Sequence, residues 1–240
     1  MRILVILLVL CSQQLWANNP FERHVYNTMQ AMSAFYMYQL SNGDSQYLSD
    51  FQHHLTSANL EINNSTLDKK DLFLKRWQAL VPHWKFKQLG LRQDLYLDTM
   101  VRLNARTYLT DIFLHTKIPS KSSDDIKQKI AEIKTMSALL SARSLDLLSA
   151  HKGSSALSLH DQKIDANLLA ETINQDIESL MSMTLAKSQL QRIKKAKIQF
   201  EFISRYITDY DEKTPYFLIY KSIISMRKLL GEESMMVVEK

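Results

Sequence analysis

Glycine and proline are scarce in this chain, and their positions constrain its fold more than any other feature. The 240 residues include only four of each. All eight fall where a run of regularly spaced apolar residues begins or ends: Pro20, Gly43, Pro82, Gly90, Pro119, Gly153, Pro215 and Gly231. Pro cannot continue a helix, and Gly supplies the left-handed conformation that closes one. The long segments between them lack the alternating pattern of strands, so we expect an all-α protein.

These boundaries predict an elongated bundle of about six to seven helices, near residues 21–40, 45–63, 65–80, 91–117, 122–152, 161–209 and 215–231. Two of the helices carry coiled-coil-like spacing, which buries one stripe of a helix against a neighbour. One seam is Ile126, Ile130, Ile133, Ser137, Leu140, Ser144 and Leu147, and the other is Ala186, Leu190, Ile193, Phe200, Ile203 and Ile207. The short loop between these helices predicts a long antiparallel hairpin. We expect one domain over residues 18–231 and a flexible tail over 232–240.

The first seventeen residues have the pattern of a secretory signal peptide. Arg2 precedes the apolar run Ile3 to Leu10, and the small Ala17 stands before the expected cut. The run is about half of the roughly 20 residues that a membrane-spanning helix needs. We therefore expect cleavage after Ala17 and a periplasmic or secreted protein. A retained anchor and lipidation of Cys11 are the alternatives, although Leu10 stands where a lipidation signal carries a small residue.

Cleavage would remove Cys11, which is the only cysteine. A mature chain without cysteine excludes thiol catalysis, cysteine-ligated zinc and iron–sulfur clusters. The formal net charge of the whole chain is +5. This modest positive charge is typical of a soluble protein. If it serves binding outside the cytoplasm, acidic membrane surfaces or wall polymers are more natural partners than nucleic acid.

The first predicted helix combines many Met and aromatic residues with small ones. Apolar side chains on nearly all of its sides predict burial on more than one face. Met and Tyr also line adaptable binding surfaces. If the bundle holds a ligand pocket or a partner groove, the sequence places it at Tyr26, Met29, Met32, Phe35 and Tyr36.

The strongest local charge feature is a basic patch of Arg192, Lys194, Lys195 and Lys197. On a helix these residues spread over about half of the circumference and leave Ile193 for the core. Such a patch is either a solvated face or a surface that attracts anionic lipid or polymer.

Complete motifs of enzymes are absent from the sequence, since the S-x-x-K match at Ser225 to Lys228 lacks its companion motifs S-D-N and K-T-G. The sequence contains no G-x-S-x-G, no H-E-x-x-H and no glycine-rich phosphate loop. The best candidate for a metal site consists of Asp50 and His54, which are four residues apart on one helical face, together with the adjacent His53. No cofactor is predicted.

The segment Leu40-Ser41-Asn42-Gly43-Asp44-Ser45-Gln46-Tyr47-Leu48-Ser49-Asp50-Phe51 joins an apolar helix to a second helix through a Gly-Asp turn. It resembles the helix–turn–helix of extracytoplasmic four-helix-bundle sensor domains. The resemblance covers about twenty residues, and it implies a similar shape in a soluble protein detached from the membrane.

Together these features favour an exported, soluble, non-enzymatic helical protein that binds a protein partner or a small apolar ligand. An enzyme with a dispersed, metal-dependent site is the competing hypothesis. A membrane-tethered sensor-like module is the third, and it requires the leader to be retained.

Overall fold

The computed structural model describes residues 20–66, 69–84, 99–116, 126–152, 165–208 and 215–231. These ranges contain eight α-helices, one short 3-10 turn and no strand, so the predicted all-α bundle is confirmed. The leader with Cys11 and the predicted tail lie outside the described residues. The helices are α1 Pro20–Leu40, α2 Ser45–Asn64, α3 Lys70–Leu80, α4 Thr99–Thr116, α5 Ile126–Lys152, α6 Ala166–Ser182, α7 Lys187–Thr208 and α8 Tyr216–Leu229, with the turn at Val81–Trp84.

Helix α1 is the centre of the bundle. It packs against α2, α4, α5 and α8, and its side chains from Thr28 to Met37 are all buried. A helix that is apolar on several sides is stabilised most when neighbouring helices cover all of those sides. The sequence prediction of burial on more than one face is therefore correct. Neither α1 nor any other described helix is long and apolar enough to cross a membrane.

A tight turn joins α1 to α2. The Gly43 N–H donates to the Tyr38 carbonyl at 2.9 Å, and the Asn42 N–H donates to the Gln39 carbonyl at 3.3 Å. This pair of bonds is the Schellman arrangement, which closes a helix with a residue in the left-handed region. Asn42 and Gly43 both have positive φ, at 59° and 96°. Asp44 then caps α2 by accepting from the Gln46 N–H at 2.9 Å.

Replacing Gly43 with alanine is expected to lower the free energy of unfolding by about 1–2 kcal/mol, because a Cβ disfavours its left-handed backbone. A Cβ at this position would lie no closer than 3.5 Å to the Tyr38 hydroxyl, so the penalty comes from the backbone and not from a clash. The check is the thermal midpoint, which should fall by about 2–8 °C. Asn42→Gly is the matched control and should leave the midpoint nearly unchanged. Equal thermal midpoints for Gly43→Ala and wild type would contradict the prediction that alanine is strained in the left-handed backbone of position 43.

An aromatic cluster holds the beginning of α1 against α3 and α4. The rings of Phe21 and Phe73 lie 5.3 Å apart, and the rings of His24 and Trp77 meet edge to face at 4.9 Å. The Trp77 Nε1–H donates to the Asn59 side chain at 3.2 Å, which satisfies a polar atom that burial would otherwise leave without a partner. Aromatic pairs in these arrangements add to the stabilisation from buried area.

Helix α5 is buried more completely than a coiled-coil stripe. From Met136 to Ser149 nearly every side chain is buried or half-buried, because α1, α6 and α8 all pack against α5. Small residues let the neighbours approach closely, as where the Ser33 and Ser141 hydroxyls lie 3.4 Å apart. The predicted seam therefore identified buried positions but underestimated how many sides of the helix are covered.

The single helix predicted over residues 161–209 is wrong, because the chain breaks between α6 and α7. Met183 has an extended backbone, with φ −77° and ψ 163°, and it ends α6. At the start of α7 the Gln189 side chain accepts from the Ala186 N–H at 3.1 Å, which is half of a capping box. Helix α7 turns back to pack on α6 and also packs against α8. The break contains neither Gly nor Pro.

The third helix also begins later than the predicted start at Ser65. Ser65 instead ends α2, with φ −69° and ψ 143°, and its N–H donates to the Ile62 carbonyl. Helix α3 begins at Lys70. Ser65 therefore serves the end of α2 and not the start of α3.

Candidate functional site

The Met and aromatic residues of α1 lie in the protein core. Met29, Met32, Phe35 and Tyr36 are each at most 7% exposed. Tyr26 is half-buried, and the Arg227 guanidinium of α8 lies 4.5 Å from the centre of its ring. The side chains at which the sequence would place a ligand pocket therefore pack against other helices, as the predicted burial on more than one face requires.

Two residues of the predicted metal site, Asp50 and His54, have hydrogen-bond partners elsewhere in the protein, and the His53 and His54 rings meet edge to face at 5.1 Å. Asp50 accepts a hydrogen bond from the Tyr220 hydroxyl at 2.9 Å. His54 Nδ1 lies 3.1 Å from the Asn27 side-chain oxygen, and burial together with the neighbouring His53 lowers the pKa of His54 to about 4. Within the described ranges, no three His, Cys, Asp or Glu side chains form a group that could hold a metal ion.

The predicted basic patch lies on the outer side of α7. Arg192, Lys194 and Lys195 are exposed, and among the described residues none of them has an ion-pair partner. Lys197 differs, because it forms ion pairs with Glu178 of α6 and Glu201 of α7, and these hydrogen bonds raise its pKa. Three of the four predicted residues thus present free positive charge to the solvent.

Exposed apolar side chains lie on the same side of α7 as these cations, and the sequence analysis did not predict them. Ile198 is 65% exposed and Phe202 is 44% exposed. Residues three or four apart lie on one side of a helix, and this spacing connects Lys195, Ile198, Phe202 and Arg205. We call Arg192, Lys194, Lys195, Ile198, Phe202 and Arg205 the basic face of α7. The signal was available, since Ile198 and Phe202 fall off the core stripe that contains Ile193, Ala196, Phe200, Ile203 and Ile207.

Aromatic rings hold the far end of the basic face. The Arg205 guanidinium lies 5.9 Å from the centre of the Phe202 ring and 5.0 Å from that of Tyr206. Such cation–π contacts attract a guanidinium to a ring even at exposed sites. They keep a positive charge directly beside the exposed Phe202.

Positive charge is concentrated in the last two described helices. Helix α7 has six basic residues and one acidic residue, and α8 has three basic residues and none that are acidic. Their combined charge of +8 exceeds the +5 of the whole chain, so the remainder carries −3. The modest net charge of the sequence therefore hides a strongly basic region.

A groove of about 680 Å³ lies between α6 and α7. Glu171, Asn174, Gln175 and Glu178 line it from α6, while Ser204, Arg205 and Thr208 line it from α7. Arg205 thus belongs to both the groove and the basic face. The groove marks the boundary between the acidic surface of α6 and the basic surface of α7.

A buried ionic cluster connects α4 to α5. The Arg102 Nε lies 2.7 Å from Asp146 Oδ1, and the Arg106 Nε contacts the other carboxylate oxygen. The side chains of Asp146 and Arg102 are only 4% and 6% exposed. The Arg102 guanidinium also lies 5.3 Å from the centre of the Tyr36 ring, and burial raises the pKa of that tyrosine. Sequence reasoning missed this cluster, although Arg102 and Arg106 are four residues apart on one helical face.

Comparison with known proteins gives no relative for this chain. No family model, no curated protein and no solved structure matches it. The resemblance of residues 40–51 to extracytoplasmic sensor domains therefore stays a prediction.

Proposed function

We propose that this chain is an exported, non-enzymatic helical binding protein that acts through the basic face of α7. The observation that carries the proposal is the combination of unpaired cations and exposed apolar side chains on one side of one helix. Single exposed apolar residues are common, but an exposed apolar patch bordered by polar or charged residues is typical of an interaction site. The partner that fits is negatively charged and offers an apolar region.

The packing of α1 favours this face over the surface that the sequence identified. Met29 and Met32 contact other helices of the bundle and are at most 2% exposed. A ligand at α1 would have to displace side chains from a close-packed core, which carries a large penalty. The basic face of α7 requires no such rearrangement. Export, by contrast, rests on the signal-peptide pattern of residues 1–17 alone.

The proposal is tested by a photo-crosslinking amino acid introduced at Gln191, which is exposed and lies one turn before Lys195. The matched control carries the same amino acid at Gln78, which is exposed on α3. In intact cells, we expect adducts from position 191 that are absent from position 78. They should be lost when Lys194→Gln and Lys195→Gln are added. Adducts from both positions alike, or from neither, would overturn the proposal.

A further inference from the structure

We propose that the partner of the basic face of α7 is an anionic lipid bilayer surface. In this arrangement Ile198 and Phe202 enter the boundary between headgroups and acyl chains, and Arg192, Lys194, Lys195 and Arg205 contact lipid phosphates. The inference rests on the proposed function and names its partner. An interfacial helix of this kind combines basic residues with a limited set of apolar residues on the side that meets the membrane.

The geometry of α7 suits a flat surface. The helix has 22 residues, which corresponds to a length of about 33 Å. Ile193, Phe200 and Ile203 anchor its inner side in the bundle, where each is at most 3% exposed. The outer side therefore stays fixed, with Ile198 and Phe202 at its centre and cations before and after them. Long basic side chains in this position reach the headgroups while their stems cover apolar surface.

The apolar residues distinguish a bilayer from a soluble polyanion or a nucleic acid. Phe202 could stack on a base, but Ile198 has no flat ring, and at 65% exposure it would remain in water on a phosphate backbone. On a bilayer, both side chains leave water for the acyl boundary. Helix α8 packs beside α7 and adds two exposed basic residues, Lys221 and Lys228, and no acidic one.

The test is cosedimentation of the predicted mature chain, which begins at Asn18, with vesicles of phosphatidylglycerol and phosphatidylcholine, compared with vesicles of phosphatidylcholine alone. We expect binding to the anionic vesicles only, and weaker binding as salt rises. Lys194→Gln with Lys195→Gln should weaken it about thirtyfold, since each cation near such a surface contributes about 1 kcal/mol. Lys69→Gln with Lys75→Gln removes two exposed lysines elsewhere and should leave binding unchanged.

A second pair of variants tests insertion. Ile198→Ser should weaken vesicle binding several-fold, whereas Leu72→Ser, at a residue of α3 that is 54% exposed, should not. Equal binding to neutral vesicles would overturn the inference. So would binding to polyphosphate or duplex DNA that is as tight as to vesicles and insensitive to Ile198→Ser.

Failure of this inference and failure of the proposed function give different results. If adducts form at position 191 in cells but anionic vesicles are not bound, the face has an acidic partner other than lipid. If position 191 yields no specific adducts, the proposed function fails together with this inference.

Discussion

Replacing Asp146 with alanine is expected to destabilise the protein by about 3–5 kcal/mol, because it leaves the buried Arg102 and the half-buried Arg106 without their counter-charge. Arg102 and Arg106 both bind this one carboxylate, and only 4% of the Asp146 side chain is exposed. The free energy of unfolding in urea measures the effect. Trp77 and Trp84 are both buried, so their fluorescence reports the transition.

Asp111→Ala is the matched control for that result. Asp111 pairs with Arg76 at 2.9 Å, but about a third of each side chain is exposed. An exposed pair contributes at most about 1 kcal/mol, so this variant should stay close to wild type. Replacing Arg102, Arg106 and Asp146 together by apolar residues of similar volume should restore most of the stability. Similar losses from Asp146→Ala and Asp111→Ala would show that burial does not strengthen the Asp146 cluster.

Acidification is expected to destabilise the protein through His24. Its Nδ1 lies 2.7 Å from the Ala58 carbonyl and its Nε2 lies 2.7 Å from the Tyr108 hydroxyl. The carbonyl can only accept, so Nδ1 carries the proton and Nε2 accepts from Tyr108. Burial lowers the pKa of His24 from 6.5 to about 4. The neutral imidazole is thus the form that the folded state prefers.

The direction of the pH effect follows from that pKa. Above pH 6.5 both the folded and the unfolded chain hold His24 neutral, so its contribution to stability is complete. As the pH falls from 6.5 towards 4, the unfolded chain takes up a proton first, and about 3 kcal/mol of stability is lost. Unfolding in urea at several pH values measures this loss.

His24→Gln removes this part of the pH dependence and is the decisive variant. His54 also has a pKa lowered to about 4, so the wild-type protein loses stability from both groups and only the difference is diagnostic. His83→Gln, at an exposed position, serves as the control and should follow wild type. Parallel losses of stability in wild type and His24→Gln between pH 7 and 4.5 would reject the assignment to His24.

Local signals in the sequence predicted helix ends where a residue acts through its own backbone. Asn42 and Gly43 end α1 through positive φ, and Pro215 precedes α8 because its ring fixes φ. The break at Met183 to Ala186 has no such residue. It is held by a side-chain cap from Gln189 and by the packing of α7 back on α6, which no local pattern announces.

The features of the candidate site that could not be predicted from the sequence depend on contacts between residues that are distant along the chain. The cations of α7 were recognised as a run of charge, but the pairing of Lys197 with Glu178 required the fold of α6 against α7. Likewise, Asp146 meets Arg102 across 44 residues of sequence. Periodicity placed Ile193 and Phe200 in the core correctly. It did not reveal that α5, which was predicted to bury a single stripe, is covered by several helices.

The central position of α1 also governs the order in which the chain can fold. The Arg227 guanidinium donates a hydrogen bond to Gln30 across 197 residues, and Tyr220 reaches Asp50 across 170. Among the described helices, α1 is synthesised first and α8 last. The part of the apolar surface of α1 that α8 covers therefore stays exposed until most of the chain has been made. Exposed surface of this kind binds chaperones and promotes aggregation. A chain truncated before α8 would therefore be a substrate for proteolysis, because the surface of α1 that α8 normally covers would stay exposed.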